Sequence, residues 1–155
     1  MAVDVRTAAT ADEFALAREM IVEYLDFLPF AVDFQDVDAE LADLPRVYGP
    51  PDGAVLLAYV DDSPAGVVGV SRFDERSCEM KRMFVRADYR GHGVGRRLAH
   101  DVVGLARGLG YERMLLDTVR QLEEANTLYE SLGFRDVPAY RHNPRPDARY
   151  LELVL

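Results

Sequence analysis

The sequence predicts a mixed α/β domain with its elements in the order β-α-α-β-β-β-α-β-α-β-β. Three observations carry that reading. Two long segments repeat apolar residues at helical spacing, and several short ones are alternating or continuous apolar runs of strand length. Gly or Pro punctuates most junctions between them. The chain has 155 residues, 49% of them apolar. We therefore read residues 1–155 as one domain, a size that buries roughly 68–70% of its unfolded surface.

VDVRTAA (Val3 to Ala9) alternates as a first strand. Thr10 followed by Glu13 has the spacing of a capping box, in which the threonine hydroxyl satisfies a free amide of the first helical turn. A helix should then run from about Ala11 to Leu28, with Phe14, Ile21, Leu25 and Leu28 on one face, and Pro29 ends it. Asp33 to Leu44 predicts a second, short, acidic helix, closed by Pro45 and by GPPDG (Gly49 to Gly53).

AVLLAYV (Ala54 to Val60) reads as a strand, DDSP (Asp61 to Pro64) as a turn, and AGVVGVSRF (Ala65 to Phe73) as the hairpin partner. SCEMKRMFVR (Ser77 to Arg86) is a third strand. Val94, Leu98, Val102, Leu105 and Leu109 form a helical stripe, and Gly110 stands where a left-handed cap would end it. RMLLDT (Arg113 to Thr118) is a short buried strand, followed by a helix from about Leu122 to Leu132 that closes at Gly133. A proline-broken loop, VPAYRHNPRP (Val137 to Pro146), leads to a last strand, YLELVL.

The net charge is −9, which argues against general nucleic-acid binding. Residues 1–75 hold 4 basic and 16 acidic side chains, whereas residues 76–155 hold 14 basic and 11 acidic. Seven cations crowd Arg76 to Arg97 against Glu79 and Asp88, which points to a local anion site. No apolar run is long enough to span a bilayer, and MAVDVRTAATADEF has neither the basic nor the apolar region of a secretory signal. The single cysteine, Cys78, excludes a disulfide scaffold, so a reducing cytoplasm is expected. His92, His100 and His142 show no metal-ligand spacing, and no metal is expected.

The most informative segment is VRADYRGHGVGRRLA (Val85 to Ala99), which leaves a strand, passes Gly91, Gly93 and Gly95, and enters a helix. No Ser, Thr, Asp or Asn stands directly ahead to cap the first turn. Uncapped amides backed by a helix dipole attract phosphate, and glycine removes the Cβ atoms that would hold a diphosphate away. The competing reading is a tight strand-to-helix turn with no ligand. A P-loop is excluded because the chain has no Gly-Lys pair, and a dinucleotide fingerprint because Arg96 occupies the place of its last glycine.

These residues resemble the GNAT family of N-acetyltransferases. RGHGVG (Arg90 to Gly95) satisfies that family's R/Q-x-x-G-x-G/A signature, CEMKRMFV precedes it as the expected strand, and ANTLYESLGF (Ala125 to Phe134) is similar to its A-x-x-LY-x-x-x-GF segment. The resemblance implies a mixed, mainly antiparallel central sheet flanked by helices. It also implies acetyl-CoA as cosubstrate and transfer of the acetyl group to an amine of a small molecule or peptide. The amides from Gly91 through His92, Gly93, Val94 and Gly95 to Arg96 would cradle the pyrophosphate, with Arg90 beside it. Phe84 and Val85 would meet the pantetheine arm through their main chain, and Asn126 would bond it. Tyr129 matches the tyrosine that protonates the departing sulfur; on spacing alone it equally continues a core stripe of Leu122, Ala125 and Leu132. Glu79 stands where some relatives keep a general base; otherwise it is a strand carboxylate paired with Lys81.

Asp26 to Arg46 carries a charge of −5 in the segment that borders the acceptor in such proteins, which would favour a cationic amine unless it is only a solvated acidic helix. An exposed last strand could pair with a second copy as a homodimer. The alternative from another class is a non-catalytic acyl-CoA-binding sensor with the same fold.

Overall fold

The computed structural model describes residues 2–31 and 36–155. Its centre is one seven-stranded sheet in the order β1-β2-β3-β4-β5-β7-β6. The strands are β1 (Val3–Thr7), β2 (Ala54–Val60), β3 (Ser63–Arg72), β4 (Ser77–Val85), β5 (Arg113–Val119), β6 (Arg135–Asp136) and β7 (Ala148–Val154). Among the described residues only the β4–β5 pair is parallel; the other pairings are antiparallel.

The first helix, α1 (Ala11–Phe27), starts on the capping box that the sequence predicts. Thr10 Oγ1 accepts from the Glu13 amide at 3.1 Å, and Glu13 Oε1 accepts from the Thr10 amide at 3.0 Å. The expected acidic helix differs. Residues 33–35 of that segment lie outside the described residues, and the chain beyond them forms two short helices, α2 (Val37–Ala42) and α3 (Leu44–Tyr48). Pro45 sits in the first turn of α3 rather than ending a helix, because a first-turn residue needs no amide proton. The β2–β3 turn is also tighter than expected. Asp61 and Asp62 both take positive φ (47° and 68°), so β3 starts at Ser63. Such a two-residue turn matches the twist of its strands.

The sheet is covered on both faces. Helix α4 (Val94–Gly108) lays Val94, Leu98 and Val102 on one face, together with Tyr129 of α5 (Glu123–Ser131). Met20 and Ile21 of α1 and Tyr48 of α3 cover the other, over Val55, Leu57, Val67 and Phe84. Each such fully buried aliphatic side chain is worth roughly 1.5–3 kcal/mol. Leu109, expected on the α4 stripe, is 42% exposed because the helix ends just before it.

Two features of β4 open the site. First, the strand bulges. Gly69 pairs with Lys81 and Val67 with Phe84, so Val68 alone faces both Arg82 and Met83, and Arg82 takes φ of 60°. A bulge breaks alternation and re-aims side chains, here bringing Lys81 and Arg82 to the same carboxylate. Second, β4 pairs with β5 only over Ser77–Glu79 and Arg113–Leu115, and beyond that point the strands part.

Candidate active site

A cleft of about 600 Å³ fills the gap where β4 and β5 part. Met80 to Val85 make one wall and Leu116 to Val119 the other, while Leu122, Ala125, Leu128 and Tyr129 close it from the α5 side. The glycine turn borders its mouth through Arg90, Gly91 and Gly95.

That turn has the local structure its glycines predict. Gly91 and Gly93 take φ of 81° and 78°, and Gly93 is the residue before α4. A side chain at either would project into open space, with no atom within 4 Å of its Cβ. Backbone geometry, rather than crowding, therefore demands glycine at both positions. No side chain of the described residues caps α4, and its first main-chain hydrogen bond runs from the Arg97 amide to Gly93 O at 3.0 Å. The amides ahead of Arg97 are left open at the positive end of a fifteen-residue helix. Val94 is itself buried in the core, so any contact it makes here is through its main chain.

The flanking cations are partly engaged. Arg90 donates Nε to Val85 O at 2.8 Å, and its guanidinium lies 4.6 Å from the centre of the Phe27 ring. Arg96 donates to Ser131 Oγ at 3.0 Å, and His92 is exposed outside the cleft lining. Phe84 and Val85 both line the cleft, with the Phe84 ring packed 5.9 Å from those of Tyr24 and Phe27.

Tyr129 lines the cleft as well, its ring 5.8 Å from that of Phe134. Its hydroxyl makes no hydrogen bond to a described residue. Burial, with smaller contributions from Tyr24 and Asp117, pushes its pKa above the ordinary phenol value and keeps it protonated at neutral pH. Asn126 does not reach the cleft lining. It is buried and donates Nδ2 to Val119 O at 2.9 Å, tying α5 to β5, while its Oδ1 has no partner among the described residues.

Glu79 is also outside the lining, and Lys81 is not its partner. Tyr140 donates to Glu79 Oε2 at 2.8 Å and Arg141 to Oε1 at 2.6 Å, both from the loop before β7. Burial raises its pKa, and the opposing pulls of Arg141, of the Lys81 charge and of the Tyr140 hydroxyl only partly offset this. Cys78 is buried with its thiol pushed up to about 12, which makes it a poor nucleophile.

Among the cleft residues to which the sequence reading assigns no place in the site are three charged ones. Lys81 and Arg82 stand on the bulge, and Asp117 on β5. A bulge leaves no periodic trace, but a carboxylate inside the apolar run RMLLDT is a readable signal.

The family model of the Acetyltransferase (GNAT) family matches residues 17–134. The chain belongs to that family. It is 39% identical over 146 residues to an uncharacterized N-acetyltransferase of Schizosaccharomyces pombe, covering 93% of this chain and 88% of that protein. It is 32% identical over 123 residues to the N-acetylaspartate synthetase of Danio rerio, covering 78% of this chain but only 41% of that longer protein. Among solved structures, an acetyltransferase of Streptococcus agalactiae superposes with a TM-score of 0.79 at 19% identity, over 99% of this chain and 98% of that one. The structure of yncA of Salmonella typhimurium with its cofactor acetyl-CoA superposes with a TM-score of 0.75 at 20% identity, over 99% and 94% of the two chains. At such identities these structures show the shared fold: one mixed, mainly antiparallel sheet between helices, as the resemblance implies.

Proposed function

We propose that this chain is an acetyl-CoA-dependent N-acetyltransferase acting on a primary amine of a small molecule or peptide. One observation carries the reading: open amides at the mouth of a cleft whose lining includes a protonated tyrosine with no hydrogen-bond partner for its hydroxyl among the described residues. Acetyl-CoA fits these residues. Its pyrophosphate needs the uncovered amides from Gly91 to Arg96, and the parted strand end at Phe84 and Val85 offers main-chain groups to its arm beside Val85 O, which already accepts from Arg90. When bound, acetyl-CoA supplies an acetyl group activated as a thioester.

The remaining work falls to side chains. An acceptor ammonium must lose two protons on the way to an amide. One leaves before the new C–N bond forms and passes through a carboxylate or water to solvent. The second restores the proton that Tyr129 gives to the departing sulfur. A phenol held protonated by burial serves that donation. The acidic segment offers less to a cationic acceptor than its charge implies, because Glu40 is bound to Arg82 from outside the segment.

The deciding experiment measures release of free thiol from acetyl-CoA with a panel of amines, aspartate included. Amine-stimulated release supports the enzyme. Tight acyl-CoA binding without turnover overturns it in favour of a sensor.

A further inference from the structure

Two cleft side chains lack a full charge partner. Lys81 and Arg82 share one carboxylate, the buried Glu40. Arg82 takes both of its oxygens, Nε to Oε2 at 2.9 Å and Nη2 to Oε1 at 3.0 Å, and Tyr48 donates to Oε2 at 2.9 Å. Lys81 Nζ is left 3.5 Å from Oε1 and makes no hydrogen bond to a described residue. The trio thus carries one positive charge that it does not neutralise, at a lysine that lines the cleft. On the facing wall, Asp117 accepts one hydrogen bond, from Asn143 Nδ2 at 3.1 Å, and no ion pair to it forms among the described residues. Tyr129 borders the same space.

We propose that the acceptor is an amino acid, or another molecule with a carboxylate beside a primary amine. Lys81 holds the carboxylate and Asp117 receives the ammonium. The proposal rests on the acetyltransferase reading and narrows it. Asp117 takes one proton from the ammonium and passes it to water, leaving a neutral amine whose lone pair is free to form the C–N bond. Lys81 takes no part in proton transfer and sets specificity. A polyamine fits this cleft poorly, since its second cation would meet Lys81 and Arg82.

The test compares free amino acids with their carboxamides, which keep the amine and lose the negative charge. Products are followed by mass spectrometry, and binding in the presence of CoA by calorimetry. The wild-type chain should favour the acid over its amide by about tenfold or more in kcat/KM, the scale of one charge-assisted hydrogen bond. An amide is the more easily deprotonated amine, so intrinsic reactivity runs against this result. Lys81→Gln should bring the ratio to within about twofold, and Lys81→Arg should retain it. Each ratio is taken within one protein, so a loss of folded material cancels. Asp117→Asn should lower kcat/KM for the amino acid about a hundredfold. Equal wild-type rates for acid and amide, or an unaffected Asp117→Asn, overturn the proposal and leave the acetyltransferase reading standing. No turnover with any amine overturns both.

Discussion

Arg141 Nη2 lies 2.6 Å from Glu79 Oε1, and this contact determines what Glu79 is free to do. With Tyr140 on its other oxygen, the carboxylate clamps the loop before β7 against β4. It is outside the cleft lining. Glu79→Gln should therefore cost about 1–2 kcal/mol of stability, read from the urea midpoint, while kcat falls less than about threefold. A hundredfold loss of kcat with an unchanged midpoint would make Glu79 the base instead.

Tyr129→Phe removes a hydroxyl that bonds to no described residue, so packing against Phe134 survives. The variant should melt within a degree or two of the wild type and bind CoA equally well. Its kcat should fall about a hundredfold, the ordinary worth of a positioned general acid. Wild-type turnover would return Tyr129 to a purely structural place beneath α5.

Much of this was legible in the chain because local physics wrote it there. The capping box at Thr10 and Glu13, the α4 stripe and the positive-φ glycines each answer to a few neighbouring residues. Other parts depend on distant ones. Glu79 finds Arg141 across 62 positions and Glu40 finds Arg82 across 42, and no periodicity announces either pair. Pro45 opens α3 instead of closing α2 because a proline is equally at home on either side of a helix boundary. Asn126 sits on the expected helix, yet its amide is committed to Val119 O, a partner set by how β5 packs.

Gly93→Val tests the turn. A β-branched residue at φ of 78° is strained by about 1–3 kcal/mol, although its side chain would meet open space. Relief of that strain would move the amides ahead of Arg97. Calorimetry with CoA should show affinity weakened about tenfold or more, since several charge-assisted bonds depend on one geometry. Unchanged affinity would remove the phosphate assignment from this turn.

The buried pair of Glu40 and Arg82 gives stability a pH dependence of known sign. Burial alone would raise the Glu40 pKa, but the Arg82 guanidinium, with Lys81 and the Tyr48 hydroxyl beside it, outweighs burial and holds it below the ordinary value of 4.5. A carboxyl whose pKa is depressed on folding stabilises fully above its unfolded value and loses that contribution as pH falls through the folded one. Wild-type stability should thus be level with respect to this group at neutral pH and decline below about pH 4.5. Glu40→Gln leaves Arg82 buried beside a neutral amide, so at pH 7 it should be less stable by about 3 kcal/mol. Its urea midpoint should also fall less than that of the wild type on acidification, because the titrating group is gone. Parallel acid curves for the two proteins would show that the pair contributes nothing ionic to the fold.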